Sequence, residues 1–404
     1  MDEMCKAKIE VPALLGQPID LPCGVQLKNR LVKSAMSDSL GNGRGKPSLP
    51  QIRLYERWAE GGAALSLIGE VQVTPECPEK PGNLVLTPDA DLAGMQNLAQ
   101  RGSANGSHIW PQLGHAGALA HPPISAPKGP SPLNVETLEC EGLSLAEIQD
   151  LPQTYARSAR LAQSVGFGGV MIHAGHGFLL SQFLSPLFNH RTDGYGGPVS
   201  NRFRVIGEII AAVRATIGPN YPIGIKINSS DMLEGGLTTG DALEVVRLLN
   251  ATSIDLIDIS GGTYFPGAAS SSDATGRSGP YFVEFARQAK SATSVPIMAT
   301  GGFRTRAQAA SAVQDMSTDL IGLARAIVLD PQLPNRWLSA EGGDPAFPRF
   351  DAPPPGGVTA WYTMRLTALA EEGEEGFTMS PADALATYEA RDAERCKDWL
   401  DQFG

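Results

Sequence analysis

The stretch that decides the fold is GFGGVMIHAGHGFLLSQFLSPLFNHRTDGYGGPVSNRFR, which spans Gly166–Arg204. A short apolar run with β-branched members, Val170–Ile172, ends at His173 and is followed by a second histidine, His176. Such a run is typical of a buried strand. A residue at the C-terminal end of a buried parallel strand lies at the mouth of a sheet or barrel, where ligands bind. The pattern therefore predicts a ligand site beside the two histidines.

The spacing of these histidines leaves two other interpretations open. An HxxH pair could bind a metal ion, but metal sites need three or four protein ligands, and the five cysteines and four other histidines show no ligand spacing. The two histidines could also merely satisfy backbone groups. We expect no metal, and we favour a ligand site over the purely structural role.

Composition and charge exclude several classes of protein. The 404 residues, 42% of them hydrophobic, suffice for one large α/β barrel or two ordinary domains. A formal net charge of −11 argues against a nucleic-acid surface, which needs clustered Lys and Arg. The N-terminus has no apolar core typical of a signal peptide, and no run of about 18 apolar residues predicts a membrane span. The five scattered cysteines are expected to be free thiols, so we expect a cytoplasmic protein.

Eight apolar segments alternate with segments of helical pattern. That alternation predicts a parallel sheet covered by helices, and the count of eight suggests a closed (β/α)8 TIM barrel. The predicted strands are Leu31–Met36, Ala63–Val73, His108–Leu113, the run Val170–Ile172, Ile223–Asn228, Ile254–Ser260, Pro296–Thr300 and Leu320–Ala324. The predicted helices are Pro50–Glu60, Asp89–Arg101, Ser144 to about Val165, Asn201–Ile217, Asp241–Asn250, Tyr281–Ser291, Arg306–Gln314 and one that follows Pro331.

Additional segments flank the predicted barrel. A short hairpin, Ile19–Leu21 with Val25–Leu27, precedes the first strand, and a proline-rich loop spans 121–132. We assign 1–340 to the barrel and 341–404 to a linker with a C-terminal helical extension. The extension contains two helical patterns, Trp361–Glu371 and Ala382–Leu400, and Ser380 and Pro381 suit the N-cap and first helical residue of the second one. It could pack on its own barrel or on a partner subunit, and a homodimer is possible.

The loops after strands seven and eight predict a phosphate site. In such barrels these two loops often bind phosphate. Here they contain Gly301 and Gly302, and then Ala324 and Arg325. Small residues let backbone N–H groups approach phosphate oxygens, and arginine adds a bidentate charge. Two tight turns and a surface arginine are the alternative, but both signals fall at the end of the barrel where ligands bind.

These segments together resemble the Old Yellow Enzyme family of NADH:flavin oxidoreductases, in its bacterial and fungal two-histidine branch. The resemblance covers nearly the whole barrel, and the fourth-strand motif is long and specific. The motifs that carry it are KNRLVKSAM, VTP, QLGHAG, HAGHGFLLSQFLSPLFNHRTDGYGG, IKINSSD, ISGGTY, ATGGF and DLIGLARAIVLDP.

The resemblance implies FMN at the C-terminal mouth, with NADH or NADPH as hydride donor and a small activated alkene as substrate. It implies that Lys226 stabilises the anionic reduced flavin, a recognised way to tune this cofactor. His173 and His176 would donate hydrogen bonds to an oxygen of the substrate. The other implied cofactor contacts are Ala35, Met36 and Ser37 along the flavin, Gly69 and Glu70 beside the isoalloxazine, Gln112 on the pyrimidine, and Gly301, Gly302, Ala324 and Arg325 on the phosphate.

The implied reaction is hydride transfer from flavin N5 to the β-carbon of an alkene conjugated to a carbonyl or nitro group. Two hydrogen-bond donors on the substrate oxygen help most in the transition state, where negative charge builds on that oxygen. A proton must then reach the α-carbon. In the family a tyrosine two residues after the second histidine supplies it, and here that position is Phe178, which has no proton to give.

The phenylalanine leaves several outcomes open, because a positioned general acid is worth about 10²–10⁴ in rate. Water or another residue, such as Tyr264 after strand six, could supply the proton. The enzyme could instead isomerise its substrate, or oxidise it with oxygen as the final acceptor. Two smaller departures are Ser37, where the branch often has a cysteine, and Glu70, an unusual acid near a flavin that could simply point to solvent.

Overall fold

A closed barrel of eight parallel strands forms the centre of the computed structural model, which describes residues 11–136, 138–266, 279–339 and 341–404. Each strand pairs with its neighbours, and the first pairs with both the second and the eighth, so the sheet closes. The predicted (β/α)8 TIM barrel is therefore confirmed. The strands are β1 Leu31–Lys33, β2 Leu65–Gln72, β3 His108–Gly114, β4 Val170–Ala174, β5 Ile223–Asn228, β6 Leu256–Ser260, β7 Ile297–Thr300 and β8 Leu320–Leu323.

A helix follows every strand and covers the outside of the barrel. Ser144 and Glu147 form a capping box at the start of the third helix, so the predicted beginning of this helix at Ser144 is confirmed. The eighth is short, and an unpredicted turn of helix, Arg325–Leu329, precedes it. The helices are α1 Leu49–Glu60, α2 Leu92–Gly102, α3 Leu145–Ser164, α4 Val199–Ile217, α5 Thr239–Asn250, α6 Val283–Lys290, α7 Arg306–Gln314 and α8 Leu333–Leu338.

The barrel interior changes from apolar to polar along the strands. Because side chains alternate across a strand with a period of two, residues two apart share a face. An apolar cluster fills the N-terminal half of the interior; it includes Val32, Leu65, Trp110, Met171, Leu256, Met298 and Leu320. Two residues further along their strands stand the polar Gln112, His173, Asp258 and Thr300. The same alternation that builds the core thus points polar groups to the C-terminal mouth.

Several local elements differ from the sequence predictions. The first strand ends at Lys33 rather than Met36, because its ladder with β8 ends where Lys33 pairs with Leu323. The predicted N-terminal hairpin is confirmed but is shorter, with Ile19–Asp20 paired to Gln26–Leu27. A small sheet of Lys128–Gly129, Leu133–Val135 and Leu138–Gly142 was not predicted, and neither was the buried helix Leu179–Leu184. The expectations about Cys5 and the charged N-terminus concern residues 1–10, which lie outside the described residues.

The C-terminal segment 341–404 contains two helices, α9 Gly357–Ala370 and α10 Pro381–Phe403. Ser380 caps α10 as predicted, by accepting a hydrogen bond from the Asp383 backbone. The segment packs on its own barrel: α9 contacts α1, and Arg395 on α10 donates from Nη1 to the Ser39 carbonyl at 2.5 Å. Of the two arrangements left open by the sequence, the one within a single chain is present. No helix among the described residues is long and apolar enough to cross a bilayer.

One lysine lies buried between the barrel and its first helix. Lys33 is fully buried, and its Nζ donates to the Leu67 carbonyl at 2.8 Å and to the Tyr55 hydroxyl at 3.2 Å. The same ammonium lies 4.5 Å from the Trp58 ring centroid. Burial lowers the pKa of Lys33 to about 7, against the opposing effect of the Asp38 charge. The folded protein therefore holds this proton less tightly than the unfolded chain does.

We predict a pH-dependent stability difference between the protein and its Lys33→Met variant. Between pH 7 and the ordinary lysine pKa of 10.5 the unfolded chain binds the proton and the folded protein does not, so folding becomes more favourable as pH rises. The free energy of unfolding of the unaltered protein should gain, relative to the variant, at most about 1.4 kcal/mol per pH unit in this window. Thermal unfolding at pH 7, 8 and 9 measures the gain. Lys397→Met, at an exposed position on α10, is the control. Parallel pH curves for the protein and the Lys33 variant would contradict the prediction.

Candidate active site

A cavity of about 1540 Å³ opens at the C-terminal ends of the strands. Of the residues predicted for the site, all but Gly69 and Phe178 line it. Gly69 lies behind the wall, where an added Cβ would meet the Met36 carbonyl oxygen at 2.2 Å. The predicted residues that the structure brings together here are Ala35, Met36, Ser37, Glu70, Gln112, His173, His176, Lys226, Gly301, Gly302, Ala324 and Arg325.

Strand β4 and the loop after it position the two histidines. His173 lies in the strand, in register with Lys226 of β5, and is only 4% exposed. His176 has a left-handed backbone, with φ +59°, and its N–H donates to Asn228 Oδ1 at 2.9 Å. Its ring Nε2 lies 2.7 Å from Ser260 Oγ. The ring centroids of the two histidines are 5.4 Å apart, so both rings face one small region of the cavity.

Both histidines are neutral at physiological pH. Burial, followed by the nearby His176 and Lys226, lowers the pKa of His173 well below its usual range. Burial and then the Lys226 charge lower the pKa of His176 to about 3. A neutral imidazole offers one N–H donor and one acceptor nitrogen. The pair can thus donate hydrogen bonds to a substrate oxygen without bringing a full positive charge beside Lys226.

Phe178 lies directly behind the histidines. Its ring is buried in a small apolar cluster with Cys77, Ala116 and Ala120, and its centroid is 4.9 Å from that of His173. On its other side the ring of Tyr264 lies 5.8 Å away, centroid to centroid, and 5.7 Å from the His176 ring. Tyr264 also lines the cavity and is 62% exposed. A hydroxyl-bearing ring therefore stands close to the position where Phe178 lacks one.

A buried ion pair lies in the floor of the cavity. Lys226 on β5 pairs with Asp258 on β6, and both side chains are almost completely buried. Asp258 Oδ1 also accepts from the Thr300 hydroxyl at 2.7 Å, which in turn lies 2.9 Å from Ser34 Oγ. Burial raises the pKa of the Asp258 carboxyl, and the Lys226 ammonium acts in the opposite direction. The network links strands β5, β6 and β7 to the segment after β1 and holds the lysine beneath the cavity.

Glu70 faces the cavity, so the suggestion that it points to solvent is wrong. The pairing of β2 with β3 shifts register between Ile68 and Val71, and Glu70 within this bulge has φ +57°. Bulges re-aim side chains next to active sites. Burial, and then the negative charge of Glu79, raises the pKa of the Glu70 carboxyl well above its usual range. The Glu70 carboxyl therefore loses its proton less readily than a solvated glutamate does.

The loops after β7 and β8, for which the sequence predicts a phosphate site, both line the cavity and are called the phosphate loops. Gly301 and Gly302 have φ of +120° and +80°, which residues with a side chain rarely adopt. At Gly302 an added Cβ would also meet the Gly279 carbonyl oxygen at 2.2 Å. Ala324 and Arg325 follow β8 directly and line the same cavity.

Comparison with known proteins agrees with this geometry. The model of the NADH:flavin oxidoreductase / NADH oxidase family matches residues 15–340. The chain belongs to this family. It is 33% identical over 351 residues to the NADH-dependent flavin oxidoreductase iliE of Hypocrea jecorina (strain QM6a), covering 78% of this chain and 87% of that protein. It is 31% identical over 314 residues to an NADPH dehydrogenase of Bacillus pumilus (strain SAFR-032), covering 77% and 90%.

Solved structures agree in fold. A 2-naphthoyl-CoA reductase in complex with 2-naphthoyl-CoA superposes with a TM-score of 0.77 at 26% identity, covering 82% of this chain but only 53% of that one. Morphinone reductase in complex with tetrahydroNAD superposes with a TM-score of 0.70 at 23% identity, covering 83% and 93%. The protein is thus a flavin oxidoreductase of the Old Yellow Enzyme family, with FMN as cofactor and NADH or NADPH as electron donor.

The cavity residues fit the flavin that family membership implies. Gln112 Oε1 is buried without a hydrogen-bond partner among the described residues, and the Lys226 ammonium has none there beyond its ion pair. Unpaired buried polar groups are rare and call for a partner. The pyrimidine edge of a flavin carries an N–H group and two carbonyl oxygens, which suit an amide and an ammonium. The described residues contain no group of three His, Cys, Asp or Glu side chains that could hold a metal ion.

Three buried residues that support the site were not singled out from the sequence. Asp258 and Ser260 alternate along β6 with apolar residues, so the period of two could have placed both inside the barrel. Asn228 binds the His176 backbone and also donates from Nδ2 to the Gly262 carbonyl at 2.9 Å. These two contacts join residues 52 and 34 positions apart in the chain, so no local sequence pattern indicates them.

We predict strong coupling between Lys226 and Asp258. Removing one partner leaves a buried charge uncompensated, so Lys226→Met should lower the free energy of unfolding by about 3–5 kcal/mol. Adding Asp258→Asn should restore part of that loss, because the carboxamide oxygen can still accept from Thr300. Thermal unfolding of both single variants and the double variant measures the coupling. The exposed pair Arg247 and Glu244 on α5, taken through the same cycle, should give less than about 1 kcal/mol. Additive losses at the buried pair would refute the prediction.

Proposed function

We propose that this flavin oxidoreductase reduces carbon–carbon double bonds conjugated to a carbonyl or nitro group. The observation that carries the proposal is the pair of neutral imidazoles, His173 and His176, which face one region of the cavity. Two preorganised donors suit an oxygen that gains negative charge during reaction. When bound, FMN supplies the hydride that it has accepted from NADH or NADPH.

The chain's own residues would orient and polarise the substrate. Ser260 Oγ lies 2.7 Å from His176 Nε2 and restrains that ring, while the register of β4 with β5 restrains His173. Lys226, paired with Asp258, would hold a cation beside the flavin and favour its anionic reduced form. His173 and Lys226 are almost completely buried, so they would keep water away from this part of the cavity, which strengthens each electrostatic contact there.

The proton for the α-carbon would come from Tyr264. Phe178 has no acidic proton, and the Tyr264 ring lies beside both Phe178 and His176 at the cavity wall. A tyrosine hydroxyl is one of the side-chain groups that act as general acids. The proton donor would then belong to the loop after β6 rather than to the loop after β4.

The histidine pair should control the rate of the oxidative half-reaction, in which the reduced protein transfers a hydride to the substrate. We predict that His173→Ala or His176→Ala slows the transfer from reduced protein to 2-cyclohexenone by about 10²–10³, because one donor to the developing oxyanion is lost. Anaerobic rapid mixing, followed by flavin absorbance and cyclohexanone formation, measures the rate.

In the unaltered protein this rate should stay level from pH 8 to 5, because the pKa of His176 is lowered to about 3 and that of His173 also lies well below its usual range. The neutral donors persist throughout that interval. Ser260→Ala should give a smaller loss, since it only restrains His176. A rate that falls below pH 6.5, or histidine variants with unchanged rates, would overturn the assignment.

The proton source is tested by exchanging hydroxyls between two positions. We predict that Tyr264→Phe slows formation of cyclohexanone by about 10²–10⁴, the usual worth of a general acid. Phe178→Tyr in that background should restore the rate, because it returns a hydroxyl beside His173. Tyr281→Phe, at another tyrosine of the cavity wall, is the control.

The outcomes of this exchange are distinct. Full activity of the Tyr264→Phe variant would mean that solvent supplies the proton. If the unaltered protein fails to reduce 2-cyclohexenone while Phe178→Tyr alone succeeds, reduction of simple enones is not its function.

A further inference from the structure

The C-terminal segment beyond the family match forms part of the cofactor cavity. The family model ends at residue 340, yet residues from the following 64 positions line the same cavity as the histidines and the phosphate loops. Among them are Phe347 and Arg349 in the stretch before α9, and Tyr362 in that helix. The barrel motifs therefore account for only part of the wall around the flavin.

Two aromatic rings of this segment lie against the arginines of the phosphate loops. The Arg325 guanidinium carbon is 4.9 Å from the Tyr362 ring centroid, and that of Arg304 is 4.9 Å from the Phe347 centroid. Both distances fall within the range of cation–π attraction. Arg325 follows β8 directly and Arg304 follows the Gly301–Gly302 turn, so each arginine belongs to one of the two phosphate loops.

Tyr362 is held rigidly enough to fix an arginine. Its side chain is 8% exposed, and its ring packs edge-on against Trp361, whose Nε1 donates to the Met379 carbonyl at 3.0 Å. Helix α9 also packs against the turn Arg325–Leu329. Burial raises the pKa of the Tyr362 hydroxyl, while the Arg325 and Arg304 charges act in the opposite direction, as expected if both guanidiniums lie near it.

We propose that the C-terminal segment strengthens the binding of the flavin phosphate. Tyr362 and Phe347 act as positioning residues that hold the Arg325 and Arg304 side chains in place to contact that phosphate. A free arginine side chain loses about 2 kcal/mol of rotamer entropy when it is immobilised. An arginine already stacked on an aromatic ring has lost part of that freedom before the ligand arrives, so less binding energy is spent on ordering it. The segment therefore strengthens the hold on FMN without touching the reacting atoms.

The alternative is that the rings only attach the segment to the barrel. The two cases differ in their dependence on the phosphate. Positioning that acts through the arginines affects FMN but not riboflavin, which has the same ring system and no phosphate. A loosened segment would weaken the binding of both flavins.

The test is the release rate of each flavin from the full-length protein, followed by the recovery of free-flavin fluorescence after dilution. Tyr362→Leu should release FMN about 2- to 30-fold faster, the range that corresponds to one partly buried cation–π contact. Its riboflavin release should match that of the unaltered protein. Tyr362→Phe retains the ring and should behave as the unaltered protein with both flavins.

Two further variants complete the test. Phe347→Leu should act like Tyr362→Leu through Arg304, and it lies outside a helix, so it remains informative if the Tyr362 variant fails to fold. Phe403→Leu removes a ring contact of 4.8 Å with Trp399 within the same segment but away from the cavity, and it should change neither rate. Equal acceleration of FMN and riboflavin release, or unchanged FMN release in both ring variants, would overturn the proposal.

Discussion

Closure of the parallel sheet is the constraint on which the rest of the structure depends. In a closed barrel every second side chain of each strand points inward. The residues at these positions therefore decide which part of the interior is apolar and which part is polar. Here Trp110 and Met171 lie in the apolar half, and Gln112 and His173 follow two residues later. The buried pair Lys226 and Asp258 occupies the same polar level. The cofactor site is thus the polar end of a packed core.

At this polar level of the barrel the Lys226 ammonium is balanced by the Asp258 carboxylate. A second positive charge on either histidine would face the lysine without a partner. Burial and the lysine charge accordingly lower the pKa of both His173 and His176, so that they remain neutral donors. Burial also raises the pKa of the Glu70 carboxyl. Lys226, Asp258 and the two histidines therefore contribute one compensated charge pair to the cavity, which suits a neutral, conjugated substrate.

The barrel and most of the cavity wall could be predicted from the sequence, because strand patterns and family motifs are local properties of the chain. The predictions were wrong where a strand end or a side-chain direction depends on a partner strand or on a bend in the backbone. The end of β1 depends on its ladder with β8, and the direction of Glu70 depends on a bulge against β3. The contact between Ser260 Oγ and the His176 ring could not be predicted either, because the two residues are 84 positions apart in the chain. The aromatic contacts of the C-terminal segment are of the same kind, since nothing near Tyr362 in the chain indicates Arg325.

The replacement of a family tyrosine by Phe178 changes which loop the proposed reaction relies on. The ring at this position is buried against Cys77 and packs on His173, so it still supports the histidine pair while offering no proton. Tyr264, by contrast, is mostly exposed and stands on the loop after β6, which is joined to the loop after β4 by a bridge between His176 and Thr263. On the proposed mechanism, donor orientation stays with the rigid strand while proton delivery moves to the rim. The two functions would then respond separately to the shape of the substrate, because Tyr264 at the exposed rim would face its outer part.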